Sequence, residues 1–340
     1  MGDLGGQRGD ERNDPMIGVL LAGRYQIVSR LGKGGMAVVY RAEDQSFGRT
    51  VAIKVLRTDV ASDPVAAKRL VREARAAGQL HHPNIITMHD VGETGGMVYI
   101  VMELMEGREL AELMEEQGAV GVRRALDIGR QVASALTVAH AHGIIHRDIK
   151  PENLFLLKHD GPGDFIKMLD FSIAKLPTNM VTAALTRAGS VFGTPHYMAP
   201  EQVEGRVVCT QTDLYALGAV IYELLAGEPP FDGDSVIDIL LQHAKKRAPR
   251  VCDLPGLKAP AGLSELVDSL LAKKESDRPA TAADVEHALL RMIEGLDNAA
   301  AAVKDPDRTV ALPALSVDVG GSPPTLPTGP RPQAPRPPRP

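Results

Sequence analysis

Three short stretches of the sequence concentrate residues able to handle a phosphate or a proton. The first is Leu31-Gly32-Lys33-Gly34-Gly35-Met36-Ala37-Val38-Val39. Small residues let backbone amides approach phosphate oxygens, although such a cluster also suits a plain hairpin. No Gly-Lys-Ser/Thr follows, so this is not a Walker-type loop. A strand rather than a helix follows, which argues against a dinucleotide-binding turn. The second is Lys54, inside the apolar run Val51-Ala52-Ile53-Lys54-Val55-Leu56. A lysine there can snorkel to solvent, but Glu73 offers another reading. It shares a helical face with Leu70 and Ala77, and a carboxylate turned toward a core needs a partner. Lys54 is a natural one. The third is His146-Arg147-Asp148-Ile149-Lys150-Pro151-Glu152-Asn153, a polar run between Gly143-Ile144-Ile145 and Leu154-Phe155-Leu156-Leu157. Both flanks read as short apolar strands that pin the loop. Seventeen residues after Asn153 comes Asp170, in Lys167-Met168-Leu169-Asp170-Phe171-Ser172, and thirty-one after Asp170 comes Glu201, in Ala199-Pro200-Glu201.

The elements that must position these groups change character along the chain. Tyr25–Val28, Val38–Tyr40, Val51–Leu56 and Val98–Met102 read as strands. Between the last two, Asp63 and Pro64 suit a helix start, and Leu70, Ala74, Ala77 and Leu80 recur at helical spacing. From Val122 the pattern turns helical, over Val122–His142, Thr212–Ala226, Ser235–Lys246, Leu263–Ala272 and Thr281–Ile293. A strand-rich front and a helix-rich back predict an α+β fold in two lobes. The cleft between the lobes is the natural ligand site.

Composition bounds the rest. The chain has 340 residues, 44% hydrophobic and 24% charged, with a formal net charge of −5. This gives no basic bias toward nucleic acid. Two cysteines, Cys209 and Cys252, exclude a disulfide scaffold and a four-cysteine zinc module. No run reaches the roughly 20 apolar residues of a membrane span; Leu214–Gly227 comes nearest and carries Glu223. A cytoplasmic protein is expected. Residues 1–20 are too poor in large apolar residues to offset their ordering entropy and are expected to be disordered. Residues 296–340 run from an alanine tract into a tail in which nine of the last eighteen residues are proline. The ordered domain is placed at 21–295, with its lobes at about 21–103 and 106–295.

Taken together, these motifs resemble those of a protein kinase, specifically the bacterial serine/threonine branch. Gly32, Gly34 and Ala37 match the phosphate-covering loop, with alanine in the third glycine place. Lys54 and Glu73 match the strand lysine and its helix partner. Asp148, Asn153 and Asp170 match the catalytic aspartate, the loop asparagine and the metal aspartate. Ala199-Pro200-Glu201 matches the segment closing the activation loop, Asp213 the aspartate buttressing the catalytic loop, and Arg278 the partner of Glu201. The resemblance covers about Tyr25 to Ile293. It implies a two-lobed fold: an N-lobe antiparallel sheet with one key helix, and a mainly helical C-lobe.

It also implies roles. Lys54 would hold the α- and β-phosphates of ATP, and Glu73 would hold Lys54. Asn153 and Asp170 would hold Mg²⁺. Asp148 would take or orient the proton of the attacking hydroxyl, Lys150 would steady the γ-phosphate, and Thr194 would contact Asp148. Leu31, Val39, Ala52, Met102 and Phe155 would line the adenine slot, with Met102 as gatekeeper and backbone groups of Glu103 and Met105 on the purine edge. Arg147 would receive an activation-loop phosphate, first on Thr186, then on Thr182 or Ser190.

Two departures stand out. Ser172 replaces the glycine after Asp-Phe, which would stiffen the switch carrying Asp170 and raises a scaffold with weak activity as the alternative. Ala77 replaces a bulkier residue four places after Glu73, which would loosen that helix. The partners implied are protein substrates. Phosphothreonine-binding or proline-binding modules, the latter docking on the proline-arginine end, are further expectations.

Overall fold

The computed structural model describes residues 14–35, 37–56, 64–171 and 195–304. Ser172, Thr182, Thr186, Ser190 and Thr194 lie outside them. Chain contacts divide after Asn298, and the unit Met1–Asn298 carries the fold.

A six-stranded antiparallel sheet fills the first third, from β1 (Leu20–Leu21), β2 (Tyr25–Lys33), β3 (Ala37–Asp44), β4 (Arg49–Leu56), β5 (Met88–Thr94) and β6 (Met97–Glu103), in the order β1-β2-β3-β4-β6-β5. Alternation sorts its side chains into two faces. Tyr40, Val51, Ile53, Tyr99 and Val101 build one small core with Tyr25 and Ile27. On the other face Ala37, Leu56, Val98 and Ile100 pack with Ala74 of helix α1 (Pro64–Ala77). Leu80 is also buried, but in the turn after α1, which ends at Ala77.

A small second sheet bridges to the helical lobe: β7 (Gly107–Glu109), β8 (Leu154–Leu157) and β9 (Phe165–Met168). The helices are α2 (Leu110–Gln117), α3 (Val122–Ala141), α4 (Pro200–Val203), α5 (Thr210–Ala226), α6 (Val236–Lys245), α7 (Leu263–Leu270) and α8 (Ala282–Lys304). Helix α5 is the axis of this lobe. Every residue from Thr212 to Tyr222 is buried, which explains why Leu214–Gly227 is nearly as apolar as a membrane helix. Its crossings are close: a Cβ at Gly129 would sit 2.8 Å from Ile221 Cδ1, and one at Gly218 would sit 2.7 Å from Leu270 Cβ. Among the described residues no helix is long and apolar enough to cross a membrane.

Three expectations are corrected. Residues 14–20 are not disordered: Asp14 accepts from Arg30 at 3.3 Å and from Tyr40 at 3.2 Å, and Met16 packs on the adjacent core. Residues 296–304 continue α8, because alanine favours helix and Leu296 still packs on the core. Ile144 and Ile145 form no strand; the chain leaves α3 through Gly143 (φ 71°) and runs into the polar loop as irregular backbone.

Candidate active site

Register decides which sequence-marked side chains share the cleft face of the large sheet. Gly32 pairs with Val39, Val39 with Lys54, and Ala52 with Met102. Directly paired residues point the same way, so these five share the face on which α1 packs. The site's apolar members are only partly covered: Val39, Met102 and Phe155 are half-buried, and Leu31 is 51% exposed. A Cβ at Gly32 or Gly35 would meet nothing within 4 Å, and neither has positive φ. Neither packing nor local conformation requires glycine there. Glu73 lies half-buried on α1, next to buried Ala74.

Lys54 Nζ reaches across the cleft to Asp170 Oδ2 at 2.5 Å. This places the phosphate-side cation beside the carboxylate that the resemblance assigns to metal. Asp170 itself is held in the left-handed region (φ 50°), a conformation aspartate tolerates better than most residues. Its predecessor is pinned from both sides: the Leu169 N–H donates to the Asn153 carbonyl at 2.8 Å, and the Leu169 carbonyl accepts from His146 Nε2 at 2.7 Å. The Asp148 N–H donates to His146 Nδ1 at 3.3 Å. The His146 ring thus joins the Asp148 amide to the carbonyl just before Asp170.

The polar loop is organised around buried Asp213 at the start of α5. Its Oδ2 accepts the His146 N–H at 2.8 Å and its Oδ1 the Arg147 N–H at 2.7 Å. His140 Nε2 lies 2.8 Å from Oδ2. Arg147 has φ 65°, a costly conformation for a side-chain-bearing residue. Its N–H is tied to Asp213, and its carbonyl accepts from Gln202 Nε2 at 3.0 Å. Beyond it, Asn153 Nδ2 donates to the Asp148 carbonyl at 2.7 Å and to Asp148 Oδ2 at 3.0 Å. This fixes the Asp148 carboxylate and turns Asn153 Oδ1 to the other side. Lys150 Nζ stands 3.9 Å from Asp148 Oδ2. The structure thus brings Lys54 to Asp170, and Asp148, Lys150 and Asn153 to one another.

The donor set suits Mg²⁺. One carboxylate and one carboxamide oxygen are hard ligands, and Mg²⁺ is commonly held by one or two protein oxygens with water and phosphate completing the shell. Among the described residues no three His, Cys, Asp or Glu side chains converge as a dedicated metal cage.

On the purine side, Met105 is half-buried just after β6. The Glu103 N–H donates to the Thr87 carbonyl at 3.0 Å. The Glu103 side chain accepts the Thr87 N–H at 2.7 Å and Lys167 Nζ at 2.6 Å. The carboxylates of Glu109 and Glu223 are pushed above their ordinary range, each by burial first and each with Glu152 adding repulsion. Lys150 and Asp170 also lie within electrostatic reach of Glu109. Glu152 thus lies within electrostatic reach of both Glu109 and Glu223, which are far from it in sequence. At the back of the lobe Arg278 grips Glu201 through two bonds of 2.7 and 2.9 Å.

His140, Asn84 and Gln131 escaped sequence reasoning. Asn84 Nδ2 donates to Gln131 Oε1 at 2.9 Å and to the Ile166 carbonyl at 2.7 Å. Their only signal was being polar within apolar stretches.

Comparison with known proteins agrees with this geometry. The family profile described as "Protein kinase domain" matches residues 25–290. The chain is 42% identical over 271 residues to serine/threonine-protein kinase PrkC of Bacillus subtilis (strain 168), covering 80% of this chain and 41% of that protein. It is 41% identical over 263 residues to probable serine/threonine-protein kinase PknB of Lactococcus lactis subsp. lactis (strain IL1403), covering 77% of this chain and 41% of that protein. The chain thus spans well under half the length of these two relatives. The crystal structure of the Mycobacterium tuberculosis PknI kinase domain superposes with a TM-score of 0.64 at 29% identity, covering 81% of this chain and 98% of that one. With the family profile spanning most of the chain and the fold shared, the chain belongs to the protein kinase domain family, among relatives that are bacterial serine/threonine kinases.

Proposed function

We propose that this chain is an ATP- and Mg²⁺-dependent serine/threonine protein kinase. The observation that carries the reading is the pairing of two arrangements on one cleft: Lys54 against Asp170, and Asp148 clamped by Asn153. Phosphoryl transfer asks for positioning and charge neutralisation more than for covalent chemistry. Asp170 and Asn153 would hold Mg²⁺, whose contribution would be neutralisation of phosphate charge. Lys54 contributes a cation at the α- and β-phosphates, oriented by Glu73. The glycine loop offers amides to the same anions, and Leu31, Val39, Ala52, Met102 and Phe155 cover the adenine faces. Asp148 accepts the proton of the incoming hydroxyl, and Lys150 lies beside it for the γ-phosphate. Lysine two places after the catalytic aspartate is the serine/threonine pattern in this family. Asp170 and Asn153 Oδ1 supply the metal oxygens.

Thr194 is assigned to contact Asp148, and Thr186, then Thr182 or Ser190, to carry an activating phosphate read by Arg147. The domain is taken as 21–295, with residues 14–20 and 296–304 extending it at either edge. Its substrates are proteins, its setting the cytoplasm, the proline-arginine end a docking segment for proline-binding modules, and Thr309 a site for a phosphothreonine-binding module.

Incubation with labelled ATP and Mg²⁺, beside Asp148→Asn, tests this directly. Wild-type label should exceed that of the variant by about 10²–10⁴-fold, the usual contribution of a positioned base. Mapped sites should fall among Thr182, Thr186 and Ser190. Equal labelling of both proteins, or none in either with ATP still bound, rejects the proposal.

A further inference from the structure

Strand β9 ends two residues before Asp170, and one of its side chains has no place in the chemistry so far. Ile166 and Met168 are fully buried in the helical lobe. Between them Lys167 points the opposite way, paired with Phe155 on the cleft side of the small sheet. It is nevertheless only 9% exposed, and a lysine so buried needs partners. Its Nζ donates to Glu103 Oε1 at 2.6 Å and to the Ile85 carbonyl at 3.3 Å. Glu103 Oε1 also accepts the Thr87 N–H. Burial pulls the Glu103 carboxyl upward, but Lys167 and Thr87 outweigh it and hold the group below its usual range, fully charged.

Place gives this pair its meaning. Glu103 directly follows Met102, where β6 leaves the large sheet. Lys167 lies three residues before Asp170. Backbone bonds from Met168 N–H to the Asn84 carbonyl (2.8 Å) and from Ile86 N–H to the Met168 carbonyl (3.1 Å) hold β9 along its free edge. Among the described residues, the Glu103–Lys167 ion pair is the side-chain ion pair joining β9 to the chain that borders the adenine slot.

We infer that Glu103 and Lys167 are positioning residues that couple the purine edge of the cleft to Asp170, so that nucleotide and divalent cation strengthen each other's binding. This rests on the reading of Asp170 as a metal ligand. The two side chains act through the backbone they hold: the pair fixes the separation between the purine edge and the metal carboxylate. Such coupling is reciprocal, each ligand raising the affinity of the other by the same factor. If the pair is lost, the backbone bonds of β9 remain and the nucleotide site survives. What goes is the registration of Asp170 against it.

The test is calorimetric binding of ADP to the full chain with and without Mg²⁺, for wild type, Glu103→Gln, Lys167→Met, Lys167→Arg and the double variant Glu103→Gln/Lys167→Met. Each uncharged single variant should lose about two- to thirty-fold of the Mg²⁺-dependent gain in ADP affinity, the range single side chains carry in coupled sites. In Lys167→Met, metal-free ADP affinity should change by less than about two-fold, and Lys167→Arg should keep most of the gain. The double variant should lose no more than the worse single one, since both remove one interaction. Full gain in either uncharged single variant, additive loss in the double, or a parallel fall in the metal-free binding of Lys167→Met overturns the inference. Should Lys167→Met fail to fold, Glu103→Gln keeps an acceptor for Thr87 and decides alone. Asp170→Asn should abolish the gain outright; if it does not, the metal reading itself falls, and the inference with it.

Discussion

Removal of Arg278 should be among the most destabilising single changes in the helical lobe. Its guanidinium and the Glu201 carboxylate are both completely buried. All five N–H donors are used: Nε to the Ala272 carbonyl at 2.9 Å, Nη1 to Glu201 Oε1 at 2.7 Å and the Gln211 carbonyl at 2.9 Å, and Nη2 to Glu201 Oε2 at 2.9 Å and the Lys273 carbonyl at 3.2 Å. In Arg278→Ala, Glu201 keeps the Thr212 hydroxyl at 2.7 Å, and three carbonyls lose this donor. Breaking a buried pair from one side costs roughly 3–5 kcal/mol, or roughly 6–20 °C in Tm for a domain of this size. The pH dependence is the sharper test. Burial raises the Glu201 carboxyl, yet Arg278 and Thr212 hold it below its usual range. Its contribution to wild-type stability is therefore complete above the unfolded value and disappears only as pH falls through the lower folded one. In the variant the buried carboxylate lacks its counter-charge, so its pKa rises and protonation relieves it. The deficit against wild type should shrink between pH 7.5 and 5.5. Urea unfolding followed by circular dichroism at both values measures this. A loss under about 1 kcal/mol, or an equal loss at both pH values, refutes the reasoning.

Asp213→Asn replaces one of two carboxylate oxygens with a donor, so the His146 or Arg147 N–H is left facing an N–H. It should cost about 1–3 kcal/mol and lower kcat more than it raises the KM for ATP; a change confined to KM would place the loop's anchor elsewhere. His243 is buried and its pKa is lowered to about 3 by burial first, then by Lys273. The unfolded chain therefore takes up a proton that the folded one refuses, and stability falls as pH drops from about 6.5 toward 3, by at most about 1.4 kcal/mol per pH unit. His243→Gln should flatten that slope in unfolding curves at pH 6.5 and 5; an unchanged slope would assign it to other groups.

Glu109, Glu152 and Glu223 come from β7, the turn before β8 and α5, and only folding lets their fields overlap. The ties around Asp213 are similar. His140 on α3 and the His146 and Arg147 amides meet one carboxylate 66 to 73 residues away in sequence, and nothing local announces the meeting.

Motif chemistry was legible in the residues themselves. A lysine within an apolar strand, a polar loop followed by Leu154–Leu157, and aspartates at fixed distances carry their meaning in type and spacing. The strands and helices that hold them follow from periodicity, because burying one face is a local pattern with a fixed repeat. The end of the first helix and the reach of the last were misjudged, since helix termini depend on what the next turn packs against. Tertiary structure alone decided that Lys54 faces Asp170, that Asn153 spends its amide on Asp148, and that Lys167 turns from solvent to Glu103. Each is a choice among several charged or polar partners of equal local merit. Distance and desolvation make that choice, and both exist only once the chain is folded.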